Sequence, residues 1–168
     1  MTELRDYLAS DGQSPFVNWS SALDTAAAAK VSVALARLEQ GNLSNAKGVG
    51  KGAQAMALTR SFKELVQSRI ARDPDFAAAL LCEGIDTMLT GDVDTGKAIL
   101  RDYIKATVGF EKLGEATGTP AKSLIRMFGP RGNPQARNLF GVIGYLQQQA
   151  SVELHVMPGP RGSARLAA

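Results

Sequence analysis

The chain has 168 residues, 45% hydrophobic and only 6% aromatic, enough for one core and suited to small-residue helix packing more than to a β-sandwich. Its single cysteine, Cys82, excludes an intrachain disulfide framework and fits a reducing compartment. No run approaches the roughly 20 apolar residues of a membrane span. The opening MTELRDYLASDG has early acids and no apolar signal core, so no membrane association and a cytoplasmic location are expected. The net charge of +3 is unevenly placed: residues 1–55 carry five basic and five acidic side chains, residues 56–168 fourteen and eleven.

In chain order, ELRDYLA reads as a short extended start. SPFVNWSSAL reads as a helix with Ser14 as N-cap and Pro15 at its first position. DTAAAAKVSVALARLEQG is a second helix, capped by Asp24 and stopped by Gly41, with Val31, Ala34, Leu35 and Leu38 as its apolar stripe. GNLSNAKGVGKGAQA is a glycine-rich polar linker.

From Met56 the pattern is helical. TRSFKELVQSRIAR sets Phe62, Leu65, Val66, Arg69 and Ile70 in amphipathic register. DPDFAAALLCEGIDTMLTG opens with Asp73 and Pro74 as a cap pair. DVDTGKAILRDYIKATVG places Ala98, Ile99, Asp102, Tyr103 and Ala106 along one face. GFEKLGEATG and TPAKSLIRMFG are two short helices, and NPQARNLFGVIGYLQQQ starts with the pair Asn133 and Pro134. SVELHVM alternates and predicts a short terminal strand, and PGPRGSARLAA a disordered tail. The expected fold is all-α, a compact helix bundle. Residues 1–45 form a helical appendage, 46–55 a linker, 56–156 the main domain and 157–168 the tail.

Several chemical motifs fail on inspection. GVGKG around Lys51 misses the phosphate-loop pattern, which needs Gly at Asn45 and Ser or Thr at Gly52. His155 is the only histidine and has no second metal ligand or triad partner in its segment. Cys82 lies among apolar residues with no basic neighbour to hold a thiolate, so it reads as a core thiol. Asp92 and Asp94 suit a helix N-terminus better than a calcium loop. No catalytic constellation emerges; an enzyme, a cofactor and a metal are not expected.

One constellation holds. With Phe110 as first position of a helix-turn-helix unit, Leu113 anchors the first helix and Gly114 lets the second cross closely. Gly118 turns the chain at positive φ. Thr119 is placed to N-cap the next helix and Pro120 to begin it. Leu124 and Met127 face inward, leaving Lys122, Ser123 and Arg126 outside. Between Ala116 and Val152 there is no Asp or Glu, while Lys122, Arg126, Arg131 and Arg137 fall in that window. A stretch of one sign attracts a polyanion more than the net charge suggests.

On the segments DTGKAILRDYIKAT, GTPAKSLIRMFGPRGNP and ARNLFGVIGYL, nearly all of residues 56–156 resembles the addiction-module antidote proteins of the phage-repressor-like helix-turn-helix class. The resemblance implies a helical domain that binds DNA, represses its own operon and neutralises a cognate toxin. SPFVNWSSALDTAAAAKVSVALARLEQGNLSNAKGVGKG is similar to the opening of RelE/HigB-like toxins. That likeness stops near Gly52 and the later toxin strands have no counterpart, which implies a truncated toxin fused in frame to the antidote and no toxin activity.

In such a domain the helix starting at Pro120 enters the major groove. Ala121, Lys122 and Ser123 lie at its reading end, with Thr119 before it. Lys122 reaches guanine or a phosphate, and Ser123 pairs with several bases. Arg126 clamps a phosphate; Arg131, Asn133 and Gln135 form a second phosphate set, and Arg137 either joins it or caps the surface of the core. A homodimer on a pseudo-palindromic operator, with half-sites about 10 bp apart, is expected. The alternative is a protein-binding module that neutralises a RelE-like toxin through the Phe62–Ile70 helix, with little DNA binding. Steep salt dependence separates the two, because counterion release accompanies phosphate binding and not apolar docking.

Overall fold

The computed structural model describes residues 4–41 and 59–157. The expected linker, the GVGKG motif, the Met56 start and all but the first residue of the expected tail lie outside the described residues. The architecture is all-α apart from one short antiparallel ladder. Strand β1 (Arg5–Tyr7) pairs with β2 (Thr59–Ser61), Arg5 opposite Ser61 and Tyr7 opposite Thr59. The helices are α1 (Pro15–Ser21), α2 (Thr25–Glu39), α3 (Phe62–Arg72), α4 (Pro74–Leu89) and α5 (Val93–Ala106). They continue as α6 (Phe110–Thr117), α7 (Ala121–Met127) and α8 (Ala136–Ala150).

Local chemistry sets most helix starts. Ser14 Oγ accepts from the Val17 N–H at 2.9 Å and donates to the Asp6 carboxylate at 2.8 Å, tying α1 to β1. Asp24 and Asp73 accept from the N–H groups of Ala27 and Phe76, each at 2.9 Å. Each satisfies a helix-end donor that would otherwise be orphaned. Pro15 and Pro74 occupy first-turn positions, where a missing N–H costs nothing.

The core is built on α4 and α5, which approach closely where Gly84 meets Ile99; a Cβ on Gly84 would lie 2.7 Å from Ile99 Cγ2. Leu80, Leu81, Leu100 and Ile104 are fully buried between the elements. Helix α2 shares this core. Its buried face is Ala28, Ala29, Ser32, Val33 and Ala36, not the expected stripe of Val31, Ala34, Leu35 and Leu38. The reason is distance: alanines let α2 lie close on α4, whereas Val31 and Leu35 border open clefts beside α3 and β1. A salt bridge of 2.7 Å from Arg37 Nε to Asp92 Oδ2 ties α2 to the start of α5.

Two further expectations are corrected. The buried residues of α5 are Thr95, Gly96, Lys97, Ile99, Leu100, Tyr103 and Ile104, with Ala98, Asp102 and Ala106 only half-buried. Asp102 is drawn sideways to α3, where it meets Lys63 at 3.0 Å and Gln67 at 3.3 Å. The terminal segment Ser151–Met157 is not a strand. Ser151 turns left-handed at φ 53°, the Val152 N–H donates to the Gln147 carbonyl and the Leu154 N–H donates to Gln147 Oε1. Those donors are thus satisfied by α8 instead of a ladder.

Candidate nucleic-acid interface

Helices α6 and α7 form the expected unit. Phe110 and Leu113 are buried at 4% and 0% exposure and fix α6 to the core. Gly118 ends α6 in the left-handed region at φ 65°, a conformation glycine adopts without strain. The Thr119 N–H then donates to the Gly114 carbonyl at 3.1 Å. The crossing is tight: a Cβ on Gly114 would meet the Thr119 carbonyl oxygen at 2.8 Å and the Ala121 nitrogen at 3.2 Å. Leu124 is fully buried, Phe128 nearly so, and Met127 is half-buried against the core.

The capping differs from expectation. Thr119 does not cap α7; Pro120 is the N-cap, and its carbonyl accepts from Ser123 at 2.8 Å and Leu124 at 3.1 Å. Thr119 therefore sits one position too early to cap. Asn133 likewise does not cap α8, which begins at Ala136 with Gln135 as N-cap and no side-chain bond.

Of the expected contact residues, Lys122, Arg126, Arg131, Asn133, Gln135 and Arg137 are exposed. Thr119, Ala121 and Ser123 are half-buried, and Ala121 has its backbone against Gly114. Among the described residues none of Lys122, Arg126, Arg131 and Arg137 has a carboxylate within 4.0 Å. Exposed Ile125, at 40%, lies between Lys122 and Arg126 in sequence on α7.

The loop after α7 is held by a residue that sequence reasoning missed. Lys97 on α5 is buried at 5% exposure; its Nζ donates to the Gly132 carbonyl at 2.6 Å and meets Asp94 Oδ1 at 2.9 Å. Gly132 packs directly on the carbonyls of Arg126 and Met127, leaving no room for a side chain. The Gly132 N–H closes the turn onto Gly129 O at 2.9 Å. Arg131 is thereby carried on a pinned loop. A lysine on an amphipathic helix normally marks a solvated face, so nothing in its spacing announced this bond.

The remaining reactive groups stand apart. Burial, then the Asp86 carboxylate, push the Cys82 thiol up, away from a thiolate. His155 is exposed, with Glu153 at 3.5 Å. Among the described residues no cluster of His, Cys, Asp or Glu is placed to hold a metal ion, and no helix is long and apolar enough to cross a membrane. Comparison with protein-family profiles, curated proteins and solved structures returns no match.

Proposed function

We propose that the chain is a sequence-specific DNA-binding regulator, the antitoxin of a cytoplasmic toxin-antitoxin module that represses its own operon. The observation that carries this reading is the α6–α7 unit, with its Gly118 turn, its glycine crossing and an outer edge of Lys122 and Arg126, exposed and without a carboxylate partner among the described residues. In this reading α7 lies in the major groove of a pseudo-palindromic operator bound by a homodimer. Lys122 and Ser123 read base edges, Arg126 clamps a phosphate, and Arg131, Asn133, Gln135 and Arg137 hold the neighbouring backbone. The toxin-like opening is a fused remnant whose second helix has become part of the antitoxin core.

The toxin-docking alternative through α3 is less favoured, because Phe62 and Ile70 are buried at 7% and 3% exposure, which leaves only half-buried Leu65 and Val66 on the open cleft beside α2. The test is retardation of the gene's own upstream DNA by wild type, Lys122→Ala and Arg126→Ala, with circular dichroism as the folding control. Lys122→Ala is expected to lose about 1–3 kcal/mol and relax base preference, and Arg126→Ala to weaken all duplexes alike. Equal retardation by all three proteins overturns the assignment of α7.

A further inference from the structure

Across a shallow cleft from the loop after α7 lies a second group of cations, on α3 and α5. Lys63, Lys97 and Arg101 line it together with Phe128, Gly129 and Pro130, and among the described residues Asp94 is the only carboxylate in its wall. Lys97, Arg101 and Lys105 recur every fourth residue along α5, one helical row. Lys97 is committed to Asp94 and Gly132, and Lys63 to Asp102.

Arg101 and Lys105 are not committed in this way. Arg101 is half-buried, and its Nε is fully buried without an acceptor among the described residues. Lys105 is exposed, with no carboxylate within 4.0 Å among the described residues. Its ammonium is held below the ordinary lysine range, first by partial desolvation and then by repulsion from Arg101 and Lys63, with Asp102 opposing. The crowded like charges of Arg101 and Lys105 suit an anion that neutralises them, met by the part of the guanidinium other than its buried Nε.

Resting on the DNA-binding reading, we propose that Arg101 and Lys105 form a second phosphate clamp, which holds the backbone of the same duplex that α7 reads. The loop Gly129–Gly132, pinned by Lys97, joins the two surfaces: Arg131 stands on it and Gly129 and Pro130 face the α5 cations. Neutralising one phosphate contact lowers the slope of log affinity against log salt by about 0.9. Two contacts give a change of about 1.8, since both are counted at the same rate.

The experiment measures binding of the full chain to its upstream duplex and to a scrambled duplex by fluorescence anisotropy, across a salt series. The proteins are wild type, Lys105→Gln, the double variant Arg101→Gln with Lys105→Gln, and Lys30→Gln as a cation outside the cleft. Thermal unfolding reports folding, and the exposed Lys105 variant keeps the test valid if Arg101→Gln destabilises the chain. The expected result is a slope flatter by about one in Lys105→Gln and about two in the double variant, with base preference retained and Lys30→Gln unchanged. Unchanged slopes in both α5 variants, or equal flattening by Lys30→Gln, overturn the clamp and leave the function of α7 standing. Failure of wild type to prefer the upstream duplex while Lys105→Gln still flattens a nonspecific slope overturns the sequence-reading role and keeps the clamp. Absence of any duplex binding overturns both. Calorimetric titration of inorganic phosphate at fixed ionic strength separates a free-anion site: tight phosphate binding with unchanged DNA slopes overturns the assignment to the duplex.

Discussion

Gly114 and Gly141 both lie inside helices, and replacing each by alanine isolates the closeness of the α6–α7 crossing. On helix propensity alone, alanine gains about 0.8–1.0 kcal/mol over glycine at an interior site. At Gly141, exposed on α8, an added Cβ meets nothing within 4 Å, so that gain is expected in full. At Gly114 the Cβ would lie 2.8 Å from the Thr119 carbonyl oxygen and 3.2 Å from the Ala121 nitrogen. Comfortable non-bonded contacts begin near 3.5 Å. The partners are backbone atoms of the turn and cannot swing aside as a side chain does. Overpacking of this kind costs about 1–3 kcal/mol. Because the propensity gain is common to both sites, the two variants should differ by about 1–3 kcal/mol in urea unfolding, with Gly141→Ala the more stable. For a chain of this size each kcal/mol corresponds to about 2–4 °C in Tm. Gly114→Ala should also weaken operator binding, since only a shift of α7 relieves the contact. Stabilisation of Gly114→Ala equal to that of Gly141→Ala would refute the tight crossing.

Gly132→Ala forces a methyl onto two carbonyls and is expected to destabilise by about 2 kcal/mol or more, read by urea midpoint. Lys97→Met removes the charged bond to the Gly132 carbonyl and should cost about 1.5–3 kcal/mol, with amide exchange rising at Gly132 if the loop is released. Leu124→Ala empties a fully buried site and is expected to cost about 2–5 kcal/mol in the same unfolding assay. Acid titration tests the α2–α5 link. Burial alone would raise Asp92, but hydrogen bonds from Arg37 and Thr95 outweigh it and hold the carboxyl below its usual 3.8. A lowered folded-state pKa gives stability that is present above about 3.8 and lost as pH falls through the lower folded value. The bridge is partly exposed, so its worth is about 0–1 kcal/mol. The stability gap between wild type and Arg37→Gln should therefore narrow as pH drops from 7 to 3; a gap that widens refutes the link.

Much of the local structure was legible in the chain. The caps at Ser14, Asp24 and Asp73 act within three residues, so side-chain type and spacing suffice to place them. The same is true of the Gly118 turn and the inward Leu124, which depend on backbone sterics and helical period. Reading failed where two local signals compete. Thr119 and Asn133 are good capping residues, but the chain starts the helices later, at Ala121 and Ala136. The alternation in SVELHVM marked a strand, yet pairing requires a free edge, and Gln147 takes the donors instead.

Composition, charge sign along the chain, helical period and turn chemistry were therefore determined by the sequence itself, because each rests on interactions within a few residues. Which face of a helix is buried was decided only by tertiary packing. Alanines of α2 lie on α4 although larger residues were available, because a close approach needs small side chains. Burial of Lys97 under the loop after α7 belongs to the same category, as do the β1–β2 pairing and the placing of Arg101 beside Gly129 and Pro130. Their partners lie tens of residues away, and only the assembled core brings those groups within bonding distance.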